Sequence, residues 1–530
     1  IHFLDLEHNS GECIIAYDYF FSKCLRYLKI KPEELVEQFT YGISNQYFFY
    51  YEKKEIDFIH STSEETVYVV KSYIQHAKVR KTEKEIARRL LLINSSTAHK
   101  PDGDVVYEIK DIKRKGEKKI PLSDEQKEAI FKSINAKIAI ITGGPGTGKT
   151  TVLNEVLKQL VKGLGRSVHL CAPTGKAAQR MKESTGLKAS TIHRLLDFHP
   201  VEKRFRVNES NPLKTDVIVI DEASMIDIYV MAHLLRAIDN DTQIIIVGDV
   251  NQLASVQAGS VLRDLINSGL FVTSSLTQIF RQAAESKIIT NAHAVNDGIF
   301  DFEYVSTEDD DFFFIESEND NKTYKLIEHI INNKVNQVYG LDPKDDVQLL
   351  VPQHEGVLGT INLNNKMQIL LNNNDCNGLK TENFEFKKGD KVIQIVNNYD
   401  KSIFNGDCGK ITIVNEKGVS VKFDGITDEV EYGTNELDEI MPSYALSIHK
   451  SQGSEYPFVI IPLPEDYNPI MDRSLVYTGI TRGKKIVILI GKKEILKKAI
   501  LNQTSRFRKT NLKESMSDLF GSKEILKLAS

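Results

Sequence analysis

The chain of 530 residues (60.0 kDa) contains 41% hydrophobic and 27% charged residues, the balance of a soluble globular protein with about three to five domains. No run approaches the ~20 consecutive apolar residues that a membrane-spanning helix needs, so the composition excludes a transmembrane protein and predicts no membrane partner. The net charge of −5 excludes a broad basic face, and any nucleic-acid site would have to be a local groove.

The five cysteines lie far apart and form no CxxC pair. This spacing excludes a zinc ribbon and disfavours a disulfide framework. The N-terminal segment has no basic region before an apolar run, unlike a secretory signal. We therefore predict a reducing, cytoplasmic location.

Residues 1–105 form the first region, which its residue pattern predicts to be mainly helical. Its clearest helix covers residues 79–93, where Ile86 and Leu90 line one face opposite charged residues. A charged, glycine-containing stretch at 110–119 is typical of a linker or an exposed loop.

Two later parts of the chain contain continuous apolar, β-branched runs separated by helical stretches. Such runs form parallel strands in a sheet that helices cover on both faces. The runs of the first part lie at 136–142, 167–173, 215–221 and 242–249, and those of the second lie at 347–352, 457–463 and 485–491. The sequence therefore predicts two α/β cores.

A stretch of different character interrupts the second core. Residues 386–433 alternate short strands with glycine turns, the pattern of a small all-β module. Upstream of this module, the acidic segment 308–321 is interpreted as a solvated loop.

The segment 143–150, GGPGTGKT, follows the first apolar run and fits the phosphate-binding pattern G-x-x-x-x-G-K-[ST]. Glycines let the backbone N–H groups of such a loop turn towards phosphates, and the next helix offers its positive N-terminal end. Lys149 would reach the β- and γ-phosphates, and Thr150 would place its hydroxyl on Mg²⁺.

Asp221 and Glu222 end the third apolar run, as a Walker B element does. Asp221 would hold Mg²⁺ through water, and Glu222 would polarise the attacking water. An acidic pair could instead cap a strand–helix junction, but the upstream phosphate loop favours the catalytic interpretation. The two motifs together predict a nucleoside triphosphatase.

Six further motifs narrow this class. They are APTGKAA at 172–178, TIHRLL at 191–196, GDVNQL at 248–253, LTQIFRQ at 276–282, SIHKSQGSE at 447–455 and YTGITR at 477–482. In this order and spacing they resemble the motifs of superfamily one helicases, and most closely those of the stand-alone RecD-like family. The resemblance covers roughly residues 120–490.

This resemblance implies an ATP-dependent helicase that translocates 5′→3′ on single-stranded DNA. It also implies an α/β fold with two RecA-like P-loop motor domains, an SH3-like all-β module inserted in the second and a β-hairpin pin on the first. The predicted boundaries are 106–275 for the first motor domain with the pin at 196–213, 276–380 and 441–500 for the second, 381–440 for the module and 501–530 for a C-terminal tail.

The resemblance also assigns a nucleotide site that takes ATP and Mg²⁺. Gln126 stands in a segment like the family's adenine-reading glutamine, and Gln252 would sense the γ-phosphate. Arg281 and Arg482 would reach from the second motor domain to neutralise transition-state charge. The implied nucleotide-binding residues also include Gly144, Pro145, Gly146, Thr147, Gly148, Lys149, Thr150, Thr151, Gly453 and Glu455.

DNA contacts are implied for loops at the sheet edges, where hydroxyls, amides and a few cations hold phosphates without reading sequence. These residues are Pro173, Thr174, Lys176, Asn398, Ser447, His449 and Lys450. His193 could contact DNA or cap a helix. The expected partners are single-stranded DNA and its junctions with duplex DNA, and the N-terminal region could bind a protein partner.

Two other functions fit the same motifs. An RNA helicase of the same superfamily shares most of them, and a DNA-bound ATPase could act as a switch without unwinding. A nuclease is disfavoured, since the sequence shows no carboxylate cluster outside the ATP site.

Overall fold

The computed structural model of the protein describes residues 4–6, 11–56, 68–96, 122–199, 202–301, 307, 310–372, 378–504 and 508–521. These ranges form an N-terminal region, two parallel-sheet domains and a small antiparallel module. The predicted linker at 110–119 and Cys376 lie outside the described residues. None of the described helices is long and apolar enough to cross a bilayer.

The N-terminal region combines three helices with an antiparallel sheet of order β1-β3-β2. Its elements are β1 (Ile15–Ala16), α1 (Tyr17–Leu28), α2 (Pro32–Ser44), β2 (Phe48–Ile56), β3 (Tyr68–His76) and α3 (Ala77–Ser95). Helix α3 buries Ile86 and Leu90, as their spacing predicts. The β2–β3 hairpin, which pairs Phe48 with His76 at one end, has no counterpart in the predicted helical pattern.

The first α/β domain has a six-stranded parallel sheet of order β11-β4-β10-β9-β5-β6. Its strands are β4 (Ile138–Gly143), β5 (Val168–Ala172), β6 (Ala189–Thr191), β9 (Val217–Ile220), β10 (Gln243–Gly248) and β11 (Val272–Leu276). Its helices are α4 (Asp124–Asn135), α5 (Lys149–Lys158), α6 (Gly175–Thr185), α7 (Ile192–Leu195), α8 (Ile228–Arg236) and α9 (Val261–Ser268). All four predicted apolar runs are strands of this sheet, which confirms the first α/β core.

A short hairpin projects from this domain within the predicted pin segment. Strands β7 (Phe198–His199) and β8 (Arg204–Phe205) pair Phe198 with Phe205. Phe205 is buried, and its ring centroid lies 4.6 Å from that of His233. Glu202 and Lys203 next to β8 are exposed, so the hairpin has an anchored base and exposed charged residues beyond it.

The second α/β domain has a five-stranded parallel sheet of order β12-β23-β22-β13-β21. Its strands are β12 (Phe312–Glu316), β13 (Val347–Val351), β21 (Ala445–Ser447), β22 (Tyr456–Pro462) and β23 (Gly483–Gly491). Its helices are α10 (Arg281–Ala284), α11 (Lys287–Asn296), α12 (Asp320–Asn333), α13 (Val335–Tyr339), α14 (Thr360–Leu371), α15 (Arg473–Ile480) and α16 (Lys493–Leu501). The loop interpretation of 308–321 is wrong, because Phe312 is buried and begins edge strand β12.

The antiparallel module is inserted between α14 and β21. Its strands are β14 (Leu379–Lys380), β15 (Glu385–Phe386), β16 (Lys391–Gln394), β17 (Cys408–Asn415), β18 (Gly418–Phe423), β19 (Val430–Gly433) and β20 (Ile440–Pro442). Five of them form a sheet of order β19-β18-β17-β16-β20 around a core that includes Phe386, Phe423 and Tyr432. The all-β interpretation of this stretch is confirmed, while the predicted domain limits stay predictions.

The C-terminal segment packs against the N-terminal region of the chain. Helix α17 (Leu512–Gly521) packs on α3 and α9, with Leu512 and Met516 in the core of the first α/β domain. Just before it, the Lys509 carbonyl accepts hydrogen bonds from the N–H groups of Cys13 and Ile14. This segment therefore fastens the N-terminal region to the first α/β domain.

Buried Asp264 in α9 makes this junction sensitive to pH. Thr510 Oγ1 donates to Asp264 Oδ1 at 2.9 Å, and burial raises the pKa of Asp264 to about 8. An unfolded aspartate titrates near ~3.9. Because the folded pKa lies above the unfolded one, the protonated carboxyl stabilises the fold below pH ~4, and this stability is lost as the pH rises towards 8.

We therefore expect Asp264→Asn, which stays uncharged and keeps the Oδ1 acceptor, to melt higher than the wild type at alkaline pH. The gain should be at least about 2–4 °C at about pH 8.5, since ~1 kcal/mol has this effect in a large domain, and it should vanish near pH 4. Melting curves of both proteins across this range measure the difference. An identical pH dependence in the two proteins would contradict the assignment.

Candidate functional site

The loop between β4 and α5 has the form of a phosphate cradle. Gly146 and Gly148 adopt left-handed backbone angles, with φ of 75° and 81°. Lys149 Nζ donates to the carbonyls of Gly143 and Gly144 at 2.6 and 2.9 Å, and Thr147 Oγ1 donates to the Gly144 carbonyl at 2.9 Å. The lysine ammonium thus lies inside the curve of the loop, where phosphates bind in such motifs.

Gln126 forms a hydrogen bond with the backbone of this loop. It closes a capping box with Ser123 at the start of α4, and its Nε2 donates to the Thr147 carbonyl at 3.5 Å. A Cβ on Gly148 would lie 2.3 Å from this Nε2, and the φ of +81° at this position favours glycine. Gln126 is not among the residues that line the adjoining cavity, and its contact with adenine stays a prediction.

Asp221 and Glu222 follow β9 beside the phosphate loop. Burial and the neighbouring Glu222 carboxylate raise the pKa of Asp221 to about 6, and Lys149 opposes this shift. Glu222 has a left-handed backbone, with φ of 51°, and its N–H donates to Asp221 Oδ1 at 2.8 Å. The half-buried Asp221 carboxylate, the Glu222 carboxylate and the Thr150 hydroxyl are hard oxygen donors of the kind that suits Mg²⁺. Thr150 and Asp221 would hold that ion, which would neutralise phosphate charge.

The two α/β domains meet around one cavity of about 520 Å³. The first domain contributes Gly144, Pro145, Gly146, Gly148, Lys149, Thr150, Arg180, Asp221, Glu222 and Gln252, and the second contributes Ile288, Ile289, Glu455, Thr481, Arg482 and Lys484. The structure therefore brings together most of the predicted nucleotide residues. Thr147, Thr151 and Gly453 are not among the lining residues.

Arg482 and Gln252 carry the polar groups that suit a nucleotide. Arg482 is 3% exposed, and its three described side-chain hydrogen bonds all go to uncharged oxygens, of Thr478, Ser454 and Thr481. Among the described residues, no donor reaches the buried Oε1 of Gln252. A buried cation held only by neutral groups favours an anionic ligand. Arg281 begins α10, but its side chain lies outside the described atoms, and its role stays a prediction.

Three contacts across the cleft were not predicted. Arg180 of α6 forms an ion pair with Glu455 of the second domain. Tyr477 Oη donates to Asp249 Oδ2 at 2.6 Å, and His293 Nε2 lies 3.1 Å from the Pro145 carbonyl oxygen. Glu455, Asp249, Tyr477 and Pro145 stand inside the predicted motifs, but the motifs did not indicate these pairings. They hold the cleft together through groups more than 140 residues apart.

Several predicted DNA residues have local partners. Thr174 caps α6 by accepting from the Ala177 N–H, and Ser447 Oγ accepts from the Lys450 N–H. Asn398 donates to Glu439 and accepts from the Lys401 N–H, so both ends of its amide are engaged.

The cationic candidates are partly buried. Lys176 lies over the Tyr456 ring at 5.5 Å; burial lowers its pKa, but nearby Cys408, Tyr456 and Asp424 outweigh burial and raise it. Burial lowers the pKa values of His449 and Lys450. Pro173 is half-buried just before α6. The DNA roles of these residues stay predictions.

His193 does not cap a helix. The Thr191 side chain caps α7 by accepting from the Arg194 N–H, which removes that alternative. The His193 ring instead packs beside the hairpin, with centroids 6.1 Å from Phe198 and 5.6 Å from Phe205. Its burial lowers its pKa, and it supports the hairpin base.

Comparison with protein families agrees with this layout. Residues 126–258 match an AAA domain, residues 363–423 match the SH3 domain of ATP-dependent RecD-like DNA helicases, and residues 442–490 match the C-terminal domain of UvrD-like helicases. The RecD subunit of the RecBCD enzyme of Mycobacterium tuberculosis is 30% identical over 416 residues, which cover 72% of each chain. The chain belongs to the RecD-like helicase family.

Other relatives of this RecD-like chain vary in length. RecD of Haemophilus influenzae is 30% identical over 499 residues, covering 78% of this chain and 76% of the relative. The ATP-dependent RecD2 DNA helicase of Deinococcus radiodurans is 35% identical over 412 residues, covering 78% of this chain but 54% of the relative. The chain therefore spans about half the length of that relative. Among solved structures, the Pif1 helicase of Candida albicans is 20% identical and covers 76% of this chain and all of its own, with a TM-score of 0.44.

Proposed function

We propose that the protein is an ATP-dependent DNA helicase that translocates 5′→3′ along single-stranded DNA and separates duplex DNA. One observation carries this proposal: Lys149, Glu222 and Gln252 of one parallel-sheet domain face Glu455 and Arg482 of the other across a single cavity. Hydrolysis in such a cavity changes the contacts between two domains, and a strand held by both would move.

Each residue of the cavity has a distinct role in the cycle. Lys149 and the glycine-rich loop hold the phosphates, and Glu222 orients and activates the attacking water. Arg482 stabilises the negative charge that develops on the γ-phosphate. Gln252 contacts the γ-phosphate, and the loss of that phosphate changes the Tyr477–Asp249 hydrogen bond, since both Asp249 and Gln252 belong to the loop after β10.

The proposed DNA partner passes close to the same cleft. Thr174 at the start of α6 lies next to Gly453, where a Cβ would come within 2.9 Å of Thr174 Oγ1. The two predicted DNA-contact loops, 173–176 and 447–450, thus flank one domain interface. Single-stranded DNA and its junctions with duplex are the proposed substrates, and a cytoplasmic location follows from their use with ATP.

Strand displacement tests the proposal directly. The protein, ATP and Mg²⁺ are mixed with duplex DNA that carries either a 5′ or a 3′ single-stranded tail. Unwinding of the 5′-tailed substrate alone is expected. Unwinding of the 3′-tailed duplex, or a preference for ribose tails in competition, would contradict the proposed direction or substrate.

The β7–β8 hairpin is the proposed wedge at the fork, and its tip gives a sharp test. Replacing Glu202, Lys203 and Arg204 with Gly/Ser residues leaves buried Phe205 in place. We expect DNA-stimulated ATP hydrolysis to persist and unwinding of the 5′-tailed duplex to collapse, because Glu202, Lys203 and Arg204 do not line the cavity. Both rates are measured on one preparation. If unwinding survives, the hairpin is only a connector.

A further inference from the structure

Helix α6 presents one face to the loop 453–455 of the second motor domain. Thr174, Ala177 and Arg180 recur every three residues and therefore lie on one side of the helix. A Cβ on Gly453 would lie 2.9 Å from Thr174 Oγ1 and 3.2 Å from Ala177 Cβ. Such an approach requires glycine, whose φ here is +72°.

Arg180 fixes the same loop at two points. Its guanidinium forms an ion pair with the Glu455 carboxylate and donates to the Gly453 carbonyl at 3.4 Å. Lys484 Nζ approaches Glu455 Oε2 at 3.4 Å from the other side. The loop is therefore held between a cation of each motor domain.

The loop in turn holds Arg482. Arg482 Nη1 donates to the Ser454 carbonyl at 3.1 Å, and its own carbonyl accepts from the Tyr456 N–H at 2.8 Å. Residues 453–455 thus lie between Arg180 and Arg482. A shift of this loop away from α6 would move the anchor of the Arg482 guanidinium at the cavity wall.

We propose that Arg180 is a positioning residue for ATP hydrolysis, which fastens the loop 453–455 to α6 and thereby aligns Arg482 with the γ-phosphate. This assignment rests on the proposed function, because it concerns the same hydrolytic site. Since Thr174 is the N-cap of α6, the helix also links a proposed DNA contact to the alignment of Arg482.

The test compares Arg180→Gln, Arg180→Lys and Glu455→Gln with the wild type, using ATP hydrolysis stimulated by single-stranded DNA. The two neutral variants should each lose about 10- to 100-fold in kcat, the scale of one charge-assisted hydrogen bond. KM for ATP should stay nearly unchanged in Arg180→Gln, which serves for this comparison because Glu455 is also a predicted nucleotide-binding residue. Arg180→Lys should fall between, because an ammonium cannot bond the carboxylate and the carbonyl as a fork does.

Three further readouts separate alignment from general structure. The double variant Arg180→Gln with Glu455→Gln should be no worse than the worse single variant, because one contact is removed twice. In Arg180→Gln, binding of ADP with aluminium fluoride, which mimics the transition state, should weaken in proportion to kcat, while binding of ADP alone stays unchanged. Lys182→Gln removes a charge from an exposed position of the same helix and should behave as the wild type.

The outcomes are distinct. A raised KM with unchanged kcat, or fully additive losses in the double variant, would overturn the positioning role. If the wild type shows no hydrolysis that depends on DNA and on Lys149, the proposed function itself is wrong and the positioning role falls with it.

Discussion

Replacing Lys149 with alanine is expected to abolish ATP hydrolysis, with or without single-stranded DNA. The Lys149 ammonium lies 2.6 and 2.9 Å from the Gly143 and Gly144 carbonyls, at the centre of the loop that would cradle the phosphates. Alanine leaves the charge of the β- and γ-phosphates without the cation of that loop. Phosphate release at saturating ATP measures the loss.

Two companion variants make this result specific. Lys162→Ala removes an exposed lysine at the far end of the same helical segment and should keep normal hydrolysis. Glu222→Gln preserves side-chain size and should bind ATP but fail to activate water. Substantial hydrolysis by either Lys149→Ala or Glu222→Gln would overturn the assignment of the site.

The two parallel sheets could be predicted because their strands are buried on both faces. Runs such as IAIIT before Gly143 and VIVI before Asp221 leave no polar face, which is the mark of a central parallel strand. The positions of the proposed catalytic groups could be predicted for the same reason, since the carboxyl ends of parallel strands lie along one edge of the sheet. Lys149, Asp221 and Gln252 each come after such a strand, so the sequence alone predicts that they lie close together.

The N-terminal hairpin and the C-terminal segment could not be predicted in this way. Strands β2 and β3 mix aromatic and charged residues. The sequence pattern of the helices on either side predicted helix for these residues as well. The C-terminal helix α17 is stabilised by Lys509 and Asn511, whose backbone groups pair with Cys13, Ile14 and Glu83. Such pairing between chain ends depends on tertiary geometry that no local pattern encodes.

The contacts across the cleft could not be predicted from local sequence patterns either. Arg180, His293 and Tyr477 reach partners in the other domain, so their roles depend on how the two sheets face each other. A lone arginine on an amphipathic helix is usually a solvated charge, and only its place opposite Glu455 distinguishes Arg180. Lys176 and Asn398 show the converse, because side chains predicted to meet DNA also have partners inside the protein.

The surroundings of Arg482 support its proposed role at the transition state. Its guanidinium is anchored by three uncharged oxygens at the cavity wall, which fixes its orientation without neutralising its charge. A cation arranged in this way interacts more strongly with the developing charge of the γ-phosphate than with the bound ground state. Its contribution should therefore appear in turnover and little in affinity.

We expect Arg482→Ala to lower kcat for DNA-stimulated hydrolysis by about 10³-fold or more, with ATP affinity nearly unchanged. Arg281→Ala should act in the same direction if its side chain reaches the same phosphate. Because Arg482 is buried, Arg482→Lys is the matched control variant, which keeps the positive charge but loses the three hydrogen bonds of the guanidinium. It should retain more activity than Arg482→Ala but less than the wild type. Melting temperatures of both variants identify any loss that comes from unfolding. Unchanged turnover with a raised KM would show that Arg482 binds ATP uniformly, and the transition-state role would then fall to another cation of the cavity.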